Sequence, residues 1–210
     1  MTPRLIFIAC LLLPGLVAAD SLEPLRVALE KRSEHQTVSV NVKQTKKIPA
    51  LTQDIVIRGH LWLVPGRSFR WQLGDPLVQG AVYDGAKVHL ADESGKTSVL
   101  DPDDRRVKPL LLMLGIGESA SFDKIQQAFS ADGVNVVDEH FIVNLVPKGQ
   151  LQRVIRSMVM QINTRTSFPE RIEWTQKDGT VIVTEFSPPV FDKKLPTDVF
   201  DAALTSYPWK

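Results

Sequence analysis

The chain has 210 residues, with 25 Lys plus Arg against 24 Asp plus Glu, long enough for one domain with a substantial core. Charges so evenly balanced leave no electrostatic footprint for nucleic acid and no polybasic patch for a membrane surface. A single cysteine, Cys10, excludes a disulfide framework.

Residues 1–19 read as a secretory signal peptide. Arg4 supplies the positive start, and Leu5 to Leu13 is an almost unbroken apolar run. Pro14-Gly15 breaks it, and Val17-Ala18-Ala19 offers small residues to a signal peptidase. The run is too short to span a bilayer. Cleavage before Asp20 removes Arg4 and Cys10, so residues 20–210 are expected as one exported, monomeric domain with 24 charges of each sign. Lipidation of Cys10 is a weaker reading, because Phe7-Ile8-Ala9 is a poor approach to such a site. No later segment reaches the roughly 18 consecutive apolar residues of a spanning helix.

Asp20 to Glu34 reads as a helix. Asp20 with Glu23 resembles a capping box, and Leu22, Leu25, Ala28 and Leu29 share one face. From Gln36 the hydrophobic period changes to two. Val38, Val40 and Val42 alternate with polar residues, and Ile55, Ile57, Leu61 and Leu63 continue the pattern. Phe69, Trp71 and Leu73 follow. Pro65-Gly66 suits a type II turn, and Asp84-Gly85, Ser94-Gly95 and Asp178-Gly179 suit tight hairpins. Lys108 to Gly115 interrupts the strands, with Pro109 where a helix begins, Gly115 where it ends, and only apolar residues between. A helix so short and apolar all round cannot lie on an ordinary surface. Phe122, Ile125, Gln126 and Phe129 suggest a second short helix. Alternation then resumes through Phe141, Val143, Leu145, Met158, Met160, Ile162, Ile172, Trp174, Val181 and Val183.

The expected class is mainly β with some helix, an antiparallel meander apolar on one face. Three short helices are little cover for so many strands. Pattern alone leaves two outcomes: a face packed solid, or one left open as an apolar cavity. Met113, Met158 and Met160 suit adaptable contacts with a variable ligand, and equally serve as ordinary gap-fillers.

Several stretches in order resemble one family, the periplasmic outer-membrane lipoprotein carriers of the LolA type. They are Gly59-His60-Leu61-Trp62-Leu63, Phe69-Arg70-Trp71, Tyr83-Asp84-Gly85, Lys108-Pro109-Leu110-Leu111-Leu112, and Phe141 through Pro147-Lys148. Asp178-Gly179 to Ser187, and Leu195-Pro196 with Phe200, close the series. The resemblance implies an incomplete antiparallel β-barrel, or strongly curved sheet, with a helical lid over an apolar cavity. It implies a periplasmic carrier that takes acylated lipoprotein or lipid cargo from an inner-membrane transporter and passes it to an outer-membrane receptor. Residues expected to line the cavity or its lid are Val40, Phe69, Trp71, Leu111, Met113, Leu114, Phe141, Val143, Met158 and Met160. The family carries an Arg before its hairpin Pro, where this chain has Pro65. Arg67 or Arg70 is the expected substitute in contacting the lid and partners. A lipid-responsive sensor module is the alternative use of such a fold.

Enzyme readings are weaker. Ser121 and Lys124 have Ser-x-x-Lys spacing, but no companion element follows, and Ser121 serves as well to cap a helix. Gly95-Lys96-Thr97 ends like a phosphate loop whose first Gly is replaced by Leu90. His35, His60, His89 and His140 lack metal-ligand spacing. Asp101, Asp103 and Asp104 surround Pro102 as turn residues. The expectation is a non-enzyme without cofactor or metal.

Overall fold

The computed structural model describes residues 22–116, 122–203 and 207; the expected signal peptide, Cys10, Asp20 and Ser121 lie outside them. Helix α1 (Glu23–Ser33) starts on Pro24 in its first turn, with Leu22 rather than Asp20 as N-cap. Leu25, Ala28 and Arg32 form its buried stripe, spaced as one helical face.

A first meander follows: β1 (Val38–Lys47), β2 (Ile55–Val64), β3 (Ser68–Leu73), β4 (Gln79–Tyr83), β5 (Val88–Asp92) and β6 (Thr97–Leu100). Helices α2 (Lys108–Leu114) and α3 (Phe122–Ala128) come next. The second meander comprises β7 (Phe129–Val137), β8 (His140–Pro147), β9 (Ile155–Asn163), β10 (Pro169–Gln176) and β11 (Val181–Phe186). A short β12 (Val190–Phe191) pairs with the start of β1. The meanders are joined by antiparallel pairing of β1 with β11, giving the order β6-β5-β4-β3-β2-β1-β11-β10-β9-β8-β7. The hairpins fall where turn chemistry requires them: Arg67 N–H bonds the Val64 carbonyl at 3.0 Å across Pro65 and Gly66, whose φ is 73°.

The expected incomplete barrel or strongly curved sheet over a cavity is corrected. The ladder ends in β6 on one side and β7 on the other, and these edges do not pair. The sheet is open, neither closed into a barrel nor strongly curled. Closure is one way to deal with exposed edges; here β6 is only four residues long and β7 is broken by a bulge between Ala131 and Val134. The apolar face needs no closure either, because helices cover it. Behind them the interior is packed: the void bounded by Leu25, Leu112, Met113, Met158 and Met160 is about 10 Å³, at the lower limit for a single water.

Register places the apolar residues together. Val40 lies opposite Leu61, Leu61 opposite Trp71, and Trp71 opposite Ala81. Across the β1–β11 seam the row continues through Val42 and Phe186. Further on, Ile172 faces Met160, which faces Val143. The chain leaves the sheet at edge β6 and re-enters at edge β7, and between them α2 and α3 pack against the apolar face.

The opposite face is wet over most strands but covered at its centre. There His60, Trp62, Arg70 and Gln72 are buried beneath the C-terminal segment around Val199 and Tyr207.

Candidate functional site

The lid-to-sheet interface gathers the residues named from sequence. Val40, Phe69, Trp71, Val143, Met158 and Met160 are buried on one sheet face, and Leu111, Met113 and Leu114 are buried on α2. Phe141 packs half-buried against the same core. Trp71 meets Phe186 edge-on at 6.1 Å between centroids. Phe69 stacks on Tyr83 at 6.4 Å, near the β2–β3 hairpin.

Helix α2 is built to be held, yet loosely. Pro109 opens it and Gly115 closes it in the left-handed conformation, φ 63°. Ile116 N–H bonds Leu111 O at 3.0 Å and Gly115 N–H bonds Leu112 O at 3.2 Å, the paired bonds of a Schellman motif. That motif leaves the Met113 carbonyl without an intrahelical donor. Arg32 on α1 supplies one: Nη1 and Nη2 both reach Met113 O at 3.5 Å. The guanidinium is buried with no carboxylate among its described partners, and burial pushes its pKa down to about 10. One carbonyl at long range is a poor exchange for water around a cation.

Beside this helix lies a cleft of about 850 Å³, walled by the Gly66–Ser68 hairpin, Tyr83 to Gly85, Asp101 to Asp103, Lys108, Ile116 and Lys124. Arg67 is exposed on its rim, and its neighbour Gly66 bridges Ile116 just past the end of α2. Arg70 is placed elsewhere. Alternation sends it to the opposite face, where Nε and Nη2 each bond Gln72 Oε1 at 3.2 Å and Nη1 meets Val199 O at 3.5 Å. The cation that touches the lid helix is Arg32, which sequence reasoning missed. Its signal was spacing: Leu25, Ala28 and Arg32 keep the i, i+3, i+7 rhythm of the apolar face.

Lys124 is exposed. Among the described residues no three His, Cys, Asp or Glu side chains are gathered as a metal would require. His35, His89 and His140 each hold a single carboxylate, on Asp192, Asp84 and Glu170.

No curated protein matches this chain. Solved structures resemble it at low identity, which speaks to fold alone. A structure of MucB has 10% identity and a TM-score of 0.50, covering 88% of this chain and 63% of that one. A LolA superfamily protein from Nitrosomonas europaea has 13% identity and a TM-score of 0.44, covering 83% and 96%. An outer membrane lipoprotein-sorting protein domain from Vibrio parahaemolyticus has 11% identity and a TM-score of 0.48, covering 88% and 97%. The family model for outer membrane lipoprotein carrier protein LolA matches residues 33–203. The match spans both meanders together with α2 and α3, and this chain belongs to the LolA family.

Proposed function

We propose that this protein is a periplasmic lipoprotein carrier in which acyl chains displace helix α2 from the sheet. The observation that carries this reading is the wholly apolar α2, buried against a face whose interior has no room for cargo while the helix is seated. Burial of Leu111, Leu112, Met113 and Leu114 is worth about 2 kcal/mol each, ~8 kcal/mol together. One acyl chain of ~16 carbons gains roughly 12 kcal/mol when taken from water, at about 0.8 per CH₂. Lid and cargo are thus comparable occupants of the same face, which is what reversible loading needs. Arg32 helps the exchange: leaving Met113 O returns a buried cation to water. On this reading Val40, Phe69, Trp71, Phe141, Val143, Met158 and Met160 contact cargo, while Leu111, Met113 and Leu114 give way to it. Arg67 stands at the rim where a donor or acceptor protein in the membrane would meet the lid. No step asks for a catalytic group, in keeping with a carrier.

The test uses the absence of cysteine after Cys10. Gly66→Cys with Ile116→Cys places a disulfide across the bridge between hairpin and lid. Native mass spectrometry of the protein isolated from periplasm should show a lipoprotein-sized addition on the reduced variant and none on the variant oxidised before loading. Trp71→Asp should lose the addition in both states. Full loading of the oxidised form would sink the displacement mechanism.

A further inference from the structure

On the face opposite the lid, the C-terminal segment roofs a pocket of about 380 Å³ over strands β1 and β2. Its floor is Ser39, Asn41 and His60, and its wall is Ser187 with Lys193, Lys194 and Tyr207. Among the described residues no Asp or Glu lines it. The described carboxylates of the roofing segment have partners other than the lysines: Asp192 accepts from Gln36 N–H at 2.7 Å and meets His35, Asp198 accepts from the Tyr207 hydroxyl at 3.1 Å, and Asp201 accepts from Ala203 N–H at 2.9 Å. Neither Lys193 nor Lys194 forms an ion pair among the described residues, and both are exposed on the pocket wall.

The floor is arranged by one imidazole. The Asn41 Oδ1 lies 2.8 Å from His60 Nδ1 and can only accept, so Nδ1 carries the proton. Nε2 therefore accepts, and the Ser39 hydroxyl donates to it at 2.7 Å. With its oxygen used in this way, the Asn41 amide N–H₂ has no protein acceptor among the described residues. Burial, with the positive charge of Lys193 second, pushes the His60 pKa down to about 4, so the ring is neutral at pH 7. The pocket thus offers two ammonium groups and an amide donor, without a competing carboxylate.

We propose that this pocket is an anion site for a phosphate-type group, held by Lys193, Lys194 and the Asn41 amide. Lysine serves such groups as a point charge, and the space exceeds one phosphate, leaving room for a substituent. The group could be free phosphate or the headgroup of an anionic lipid. The site is separate from the lid interface and does not depend on the carrier reading.

The experiment follows the His60 imidazole and Trp62 indole signals of the full mature chain by NMR at pH 7. It uses inorganic phosphate, chloride at matched ionic strength, and phosphatidylglycerol vesicles with phosphatidylcholine vesicles as control. A saturable shift with inorganic phosphate and not with chloride is expected, weakened about tenfold or more in Lys193→Gln/Lys194→Gln. Saturation with phosphatidylglycerol vesicles alone, lost in the same variant, also supports the site and assigns its source as lipid. No saturable shift with either probe overturns the proposal. So does an equal response to chloride, or a variant that responds like the native chain while keeping its fold by circular dichroism.

Discussion

His60 shows how one residue ties stability to pH. Its hydroxyl and amide partners satisfy the neutral ring, and burial with Lys193 nearby disfavours the charged one. The folded pKa near 4 lies below the unfolded value near 6.5. Between those values the unfolded chain binds more protons, so stability is fully present above about pH 6.5 and declines as pH falls toward 4. With solvent on one side of the pocket, about 2 kcal/mol is a reasonable ceiling for the effect. Denaturant midpoints taken from pH 7 to pH 4 should fall more in the native chain than in His60→Gln, and parallel curves would contradict this. The lack of metal-ligand spacing around His60 tells only part of what the structure holds. Its strand position was legible from alternation, but its roof comes from a segment more than 120 residues later, which no local pattern encodes.

At the scale of elements, α2 and its C-terminal cap decide how firmly the lid is seated. A Cβ at Gly115 would come within 2.7 Å of Arg32 Nη2 and 3.0 Å of Leu29 Cδ2, at a φ of +63°. Gly115→Ala should therefore cost roughly 1 kcal/mol for the backbone alone, with steric overlap in addition. Arg32→Met removes the closest of those atoms along with a poorly solvated cation, so it should be tolerated well. A double-mutant cycle read by urea denaturation should show the Gly115→Ala penalty reduced, not doubled, in the Arg32→Met background. Additive penalties would mean that the two residues do not communicate. The lid helix itself was legible, because Pro109 and Gly115 bracket an unmistakable apolar run. The second helix was legible only to Ala128. Phe129 continues its 3.6 spacing, yet pairing with Pro147 draws it into β7. That strand escaped notice because Asp132-Gly133 sits at its bulge and breaks the alternation.

Over the whole molecule, the organising feature is a seam between two local meanders. Most pairings are hairpins close in sequence, but β1 meets β11 across nearly the full length of the chain. Strands near the seam are flanked on both sides, whereas β6 and β7 each lack a neighbour on one side among the described residues. Hydrogen exchange followed by mass spectrometry should accordingly show slowest exchange in β1, β2 and β11 and fastest in β6 and the distal half of β7, where Val136 and Val137 are exposed. Uniform protection across the sheet would refute this gradient. Strand number and facing were readable because burial has period two. Closure was not, since the same alternation serves an open sheet and a barrel alike; only the pairing of the last strands distinguishes them. Filled interior and empty cavity were likewise indistinguishable, because the same Leu and Met residues make either.

The crossing from β6 to β7 makes α2 part of a strap anchored at both ends rather than a flap with a free tip. Its distance from the sheet is limited by the length of chain on either side of it. On the carrier reading proposed above, the length of those connections sets an upper bound on cargo thickness, much as a belt limits what it can go around. It also gives the two free edges mechanical meaning. On that same reading, a protein that added a strand to β6 or β7 would hold one end of the tether.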